Sequence, residues 1–368
     1  MKVCILSMQR VDNMGSLLQA YALKTILEQQ GNEIEFIDIM KRNEDYKLLG
    51  ADRKEFLAES EKSGLIGKIK KIDKYILIRF RNKKKNKQQR DAFESFRKNQ
   101  LNIGKISSQY DVCVIGSDEV FNCLDSGTWG FTSQLFGNVP EANKVITYAA
   151  SCGSTKYEDL PCEVAKRICQ AFEKVAAFST RDKNTHDFVA KLTDKNVTDN
   201  IDPVLLYDFE QEMEEVDLPK LPEHFCIVYS YYNRLHTYKE IRAIKSFCDR
   251  HRLTPVTIGA PQFWIKNHVV CTPFQCLKTF ASADFVITDT FHGTIFASKY
   301  AKKFAVLVRE SNENKLLDLV NTIGIRDHLL GSIEDVEEKY KVSKNQKKFI
   351  SVIEEERMSS WQYLKDNI

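Results

Sequence analysis

A chain of 368 residues is long for one hydrophobic core and suits two domains. Its 43% hydrophobic and 29% charged residues are ordinary for a soluble globular protein, and a net charge of +3 is too small to make nucleic acid the main partner. The opening MKVCILSMQR has too short an apolar run for a signal peptide, and no stretch approaches a membrane span, so a cytoplasmic protein is expected. Ten cysteines raise the question of metal or disulfides. Cys4, Cys113, Cys152, Cys226 and Cys248 sit in or beside apolar runs, and no C-x-x-C pair occurs. Cys271 and Cys276 lack a histidine at zinc spacing, so buried reduced thiols and no structural metal are expected.

In chain order, Lys2 to Ser7 reads as a strand and Asp12, Asn13, Met14 and Gly15 as a loop. Ser16 and Gln19 have capping-box spacing, Leu17, Ala20, Leu23 and Leu27 mark one helical face, and Gly31 is placed to stop the helix. Ile34 to Ile39 supplies the next strand. This βαβ opening carries NMG in place of G-x-G-x-x-G, so NAD is not indicated.

The stretch from Lys54 to Arg97 interrupts the rhythm. Between Gly67 and Arg90 it is dense in lysine and arginine against a lone Asp73, with Ile69, Ile72, Ile76 and Phe80 at helical spacing. Two readings stay open: a solvated helix on an insertion, or a basic amphipathic surface resting on anionic lipid. Strands follow at 111–115, 144–149, 175–180 and 197–201, with a helix opening at Pro161. The first α/β domain is thus placed at 1–206, with its basic insertion near 54–97. Residues 207–224 are acidic, contain Pro219 and Pro222, and read as a linker.

A second α/β domain is placed at 225–345. It runs as a strand at Phe225–Ser230, a helix at Tyr238–His251, a strand at Pro255–Gly259 and a helix at Phe274–Ala281. A strand (Phe285 to Thr288), a helix-like stretch and a strand (Phe304 to Val308) complete it. Residues 346–368 form a last amphipathic segment expected to cross back to the first domain. This layout sets His292 at the carboxyl end of a parallel strand and the amino end of a helix. Open α/β sheets hold ligands in that crevice, and helix amino ends favour phosphate or carboxylate.

Six motifs occur in order: NMGSLLQAYAL near the start, GSDEVFN at 116–122, YAASCG at 148–153, STRD at 179–182, DPVLL at 202–206 and TDTFHGT at 288–294. Together they resemble the motif set of the polysaccharide pyruvyl transferases, from about residue 3 to about residue 308. The resemblance implies two Rossmann-like domains facing across a cleft in the glycosyltransferase-B-like layout. It implies phosphoenolpyruvate as co-substrate, and as acceptor a hexose of a surface polysaccharide, free or lipid-linked. The product would be a cyclic pyruvate ketal, formed with no metal or redox cofactor.

His292 is the candidate general acid/base, a role suited to a side chain titrating near neutrality. Gly293 lets backbone approach a ligand closely, and Thr294 follows at the helix amino end. The family associates the arginine of the RD motif with phosphoenolpyruvate, which gives Arg181 that role; a guanidinium fork suits a carboxylate or phosphate. Some relatives carry an arginine where this chain has Thr290, so a cationic contact is absent there or comes from Arg234, Lys266 or Arg309. Ser117 and Asp118 read equally as a helix cap and as sugar contacts. Asn13, Gly15 and Ser16 start a helix and are candidates to line the cleft. Tyr231 and Asn233, with Tyr229 and Tyr232, end a strand where aromatic faces can stack on a sugar. Two other functions stay open. One is a nucleotide-sugar glycosyltransferase, for which Glu310 meets Asp318 rather than a second glutamate eight positions on. The other is a non-catalytic carbohydrate-binding subunit.

Overall fold

The computed structural model describes residues 1–40, 45, 82–104, 106–124 and 130–368. The part of the basic stretch before Asn82, with its helical repeat of Ile69, Ile72, Ile76 and Phe80, lies outside the described residues. The chain forms two parallel six-stranded sheets. The first comprises β1 (Lys2–Leu6), β2 (Glu33–Phe36), β3 (Tyr110–Asp118), β4 (Ala142–Ala150), β5 (Val175–Thr180) and β6 (Val197–Asp199), in the order β2-β1-β3-β4-β5-β6. The second comprises β7 (Phe225–Tyr229), β8 (Thr254–Ile258), β9 (Asn267–Val269), β10 (Phe285–Thr288), β11 (Phe304–Leu307) and β12 (Leu329–Leu330), in the order β12-β11-β10-β7-β8-β9.

The central strands are largely apolar because helices cover both faces of a parallel sheet. Val3, Cys4, Ile5 and Leu6 of β1, and Phe285, Val286 and Ile287 of β10, are all fully buried. Strand order reverses between β1 and β3 and again between β7 and β10. Those switch points are where open α/β sheets leave a crevice at the carboxyl ends of their strands. The fold is therefore α/β with two Rossmann-like units, arranged in the glycosyltransferase-B-like way.

Some elements escape the sequence pattern. β9 and β12 are three and two residues long, and β9 begins with Asn267 and His268. The helix Glu313–Thr322 buries Leu316, Leu319 and Val320, a face whose spacing was legible. The first helix, Met14–Gln29, also starts differently from expectation. Its N-cap is Asn13, whose extended backbone lets the side chain accept from Gly15 N. Ser16 lies inside the first turn, and the Gln19 amide donates to Ser7 Oγ and Ser16 O, so no Ser16–Gln19 capping box forms.

Two helices tie the halves together. Lys83–Phe96 carries the end of the basic stretch, with Gln89, Phe93 and Phe96 buried on one face. Gln89 exchanges hydrogen bonds with the backbone of Cys271 in the second unit, and Lys85 Nζ donates to His268 O at 2.7 Å. Lys83, Lys84, Lys87 and Arg90 stay exposed. The helix Gln346–Asn367 returns to the first unit. There Tyr363 donates to Thr147 O at 2.9 Å, Ser360 Oγ accepts from Ile201 N, and Arg357 forks onto Asp208. Cys162 and Cys169 are exposed and the other cysteines are buried, all as free thiols. Among the described residues no helix is long and apolar enough to cross a membrane, and no cluster of side chains suits a metal ion.

Leu364 is fully buried under this returning helix. Leu364→Ala should cost about 2–5 kcal/mol, the usual range for emptying a packed leucine site. Urea unfolding would register it as a lowered midpoint at unchanged slope.

Candidate active site

The site grows from strand ends. β5 ends at Thr180, so Arg181 emerges at its carboxyl edge, with its N–H donating to Ala150 O. Beyond β6, Asp202 caps the short helix Pro203–Leu206 and its Oδ1 accepts from Val204 N at 3.0 Å. β3 delivers Ser117 and Asp118. From the second unit, β10 leads through Thr290, the N-cap of helix Phe291–Tyr300, to His292.

These ends converge on one charged cluster. Asp202 Oδ2 lies 2.8 Å from Arg181 Nη1, 3.4 Å from Ser117 Oγ and 3.5 Å from His292 Nε2. Arg181 Nη2 reaches Asp118 Oδ1 at 3.3 Å, and Asp118 Oδ2 accepts from Ser16 Oγ at 2.7 Å. The Arg181 guanidinium also stacks 4.2 Å over the Phe291 ring. Asp202 is wholly shielded from solvent. Burial alone would raise its carboxyl, but the opposing pull of His292, Arg181 and the Val204 N–H outweighs that and holds it at about 2. Burial likewise disfavours the Arg181 cation, yet Asp118, Asp202, Asp182 and Glu119 raise it further above its already high value. Buried charges survive here because each one has a partner.

His292 occupies a niche that exists because of a glycine. A Cβ placed on Gly15 would fall 2.2 Å from both Cγ and Nδ1 of the imidazole, so only glycine admits the ring at that helix start. Gly293 has its own packing reason, since a Cβ there would fall 2.2 Å from Thr288 Oγ1 and 2.6 Å from Tyr229 Cδ1.

His292 opens on a cavity of about 230 Å³ lined also by Asn13, Thr290, Tyr229, Tyr231 and Tyr232. Tyr231 is shared with a second cavity of about 390 Å³, whose walls include Glu119, Asn122, Asn184, Arg234 and Lys315. Lys315 Nζ pairs with Glu119 Oε1 at 2.5 Å across the two units. Burial opposes ionisation of Glu119, but Lys315, Arg181 and Asn122 hold it at about 2.

The residues singled out from sequence fall into three groups. Asn13, Thr290, His292 and Tyr231 meet at the smaller cavity. Ser16, Ser117, Asp118 and Arg181 form the charged cluster behind it, with Gly15 as the spacer. Thr294 and Asn233 line neither cavity. The Thr294 hydroxyl is buried and spent on Thr290 O, and Asn233 sits at a φ of 49° with its N–H directed to Pro261 O. Arg181 is no open fork, because both of its terminal nitrogens already meet carboxylates. Of the cations considered for the place of Thr290, Arg234 faces the larger cavity. Arg309 is taken up by Asp289 and Glu240, and Lys266 is exposed. Sequence reasoning missed Asp202, Glu119 and Lys315. Asp202 was legible as the acid of DPVLL, but an Asp before Pro reads first as a helix cap.

The fold and cluster define a two-unit α/β protein of the glycosyltransferase-B-like kind, with its polar residues gathered at the strand ends between the units. Residues 13–311 match the profile of the polysaccharide pyruvyl transferase family, and the chain belongs to that family. No curated protein matches it in sequence. Among solved structures, a UDP-GlcNAc 2-epimerase of Methanocaldococcus jannaschii, bound to UDP-GlcNAc and UDP, is similar at 11% identity and a TM-score of 0.47, over 99% of each chain. A functionally uncharacterized Klebsiella pneumoniae protein is similar at 12% identity and 0.44, over 90% of this chain and 93% of that one. A glycosyltransferase of Streptomyces nogalater is similar at 9% and 0.41, over 98% and 94%.

Two stability outcomes follow from the cluster. Arg181→Gln leaves buried carboxylates facing one another and should cost about 3–5 kcal/mol in urea unfolding. Asp202 is depressed below the usual carboxylate range, so its contribution is complete above about pH 4 and fades as pH falls toward about 2. Asp202→Asn should flatten stability against pH in that window, as read by denaturation curves at stepped pH.

Proposed function

We propose that this chain transfers pyruvate from phosphoenolpyruvate to two hydroxyls of a hexose, in a surface polysaccharide or its lipid-linked precursor, forming a cyclic ketal. The observation that carries the reading is His292: a histidine at a helix amino end, backed by a buried carboxylate, on the wall of a tyrosine-lined cavity. Family membership supplies the transferase class. Tyrosine faces suit a sugar ring, and Asn13 and Thr290 add polar groups beside the imidazole.

In the reaction, the methylene carbon of the donor takes a proton and its central carbon becomes electrophilic. One sugar hydroxyl adds there; the second then displaces phosphate, and the two hydroxyl protons balance the methyl group and the leaving group. His292 is placed to give the first proton, directly or through water, or to assist departure of phosphate. Arg181, engaged with Asp118 and Asp202, serves from behind by keeping the cluster ionised and fixed. Lys156, Arg234 and Lys315 are the cations lining the adjoining cavity, where they can meet the donor's anionic groups. Holding both reactants in register can remove roughly 7–11 kcal/mol of barrier. The exposed face of Lys83, Lys84, Lys87 and Arg90 suits an anionic membrane surface, which would bring the protein to a lipid-linked acceptor.

His292→Gln should abolish phosphate release from phosphoenolpyruvate in the presence of acceptor while the thermal melt stays close to that of the parent. Wild-type protein should give acceptor products heavier by about 70 Da, pyruvic acid less water, as the proton-transfer scheme requires. Full activity of the variant would remove the assignment. Stabilisation by a nucleoside diphosphate, with none by phosphoenolpyruvate, would turn the reading to a nucleotide-sugar transferase.

A further inference from the structure

His292 Nε2 is fully buried and lacks a hydrogen-bond partner at ordinary distance. The Asp202 carboxylate lies 3.5 Å away, an ion-pair distance that apo sites often show before a substrate tightens them. An orphaned buried ring nitrogen facing an ionised carboxylate is a strong constraint, because an unmatched polar atom is costly and only an N–H satisfies both groups. The other ring nitrogen, Nδ1, lies beside Gly15, and the His292 side chain lines the tyrosine-lined cavity together with Asn13.

From this geometry we infer that Asp202 is a positioning residue that holds the proton on His292 Nε2, so that Nδ1 is the atom exchanging protons with substrate. The inference rests on the pyruvyl-transfer reading for its chemistry, though its structural half stands apart. The bond made by one ring nitrogen decides the state of the other. Asp202 is itself locked from other sides by Arg181 Nη1 and Val204 N, so its second oxygen has a fixed direction. The other charged groups around the ring are Arg181, stacked on the neighbouring Phe291, Asp118 behind Ser16, and Asp12 on the cavity wall. Among the described residues Asp202 is the one carboxylate within ion-pair distance of the imidazole. Gly15 acquires a second meaning, since a side chain there would cover the working nitrogen as well as collide with the ring.

The test uses the full-length protein labelled with ¹⁵N-histidine, in the absence of any donor. Long-range proton–nitrogen correlation spectra above neutral pH report which nitrogen carries hydrogen, and the signal is assigned by its loss in His292→Gln. The expected result is Nε2–H with a bare Nδ1; a predominant Nδ1–H form overturns the inference. Asp202→Asn can present an amide donor to Nε2 and so favour the wrong tautomer. It should lower kcat for phosphate release roughly 100- to 10,000-fold, as expected for a mis-set imidazole, and leave KM within about threefold. A kcat close to the parent's overturns it. Should that variant fail to fold, the wild-type spectrum decides alone. If wild type shows Nε2–H yet His292→Gln still turns over phosphoenolpyruvate, the functional reading falls while the positioning of the ring stands.

Discussion

One buried ion cluster organises this molecule: Arg181 between Asp202 and Asp118, with His292 leaning on the same Asp202 oxygen. It draws on the ends of β3 and β5, the turn after β6 and the first turn of Met14–Gln29, and then on the second unit through Phe291 and His292. Charges of this kind add little net stability when intact, but they penalise every arrangement that separates them. That asymmetry makes the cluster a register pin between two sheets that share no strand. The Lys315–Glu119 pair and the bond from Lys183 N to Asp318 lie along the same seam.

The fold was legible because parallel sheets leave a simple trace. Strands covered on both faces read as apolar runs, and β1, β3, β7 and β10 did so with nothing else to compete. What escaped was short or held by tertiary contacts. β9 has too few residues to show a period, and its hydrogen bonds come from β8. The helix Lys83–Phe96 hid a second role. Its composition speaks of solvent or lipid, and it also turns Gln89, Phe93 and Phe96 inward on one narrow face, with Gln89 bonded to the Cys271 backbone. Composition averages over a helix, whereas docking depends on a few positions of it.

For the site, sequence reasoning located strand ends correctly but could not separate a residue that touches ligand from one that supports it. Ser117, Asp118 and Arg181 sit where ligand contacts were expected, and they spend their polar groups on one another, on Ser16 and Asp202, or on backbone. Thr294 is three atoms of side chain in a buried turn. The partner each group chooses is a property of folded geometry, and spacing along the chain says nothing about it. Asp202 illustrates the point most sharply: one oxygen performs the capping role that Asp-Pro suggests, and the other turns to Arg181 and His292.

The two cavities complete the argument. They differ in chemistry, the smaller one rich in tyrosine around the imidazole and the larger one polar and lined by paired ions. Tyr231 belongs to both, is 44% exposed, and has the Arg234 guanidinium 5.4 Å from its ring centre. A ligand spanning them would place its ring body near His292 and its charged or hydroxyl-rich end among Arg234, Lys315 and the asparagines. The second unit supplies Tyr231, His292, Arg234 and Lys315, while the first supplies Asn13, Glu119 and the carboxylate behind the imidazole. Neither unit holds a complete site. Any change that loosens the seam therefore separates His292 from the Asp202 carboxylate, and under the proposed mechanism binding and chemistry fail together.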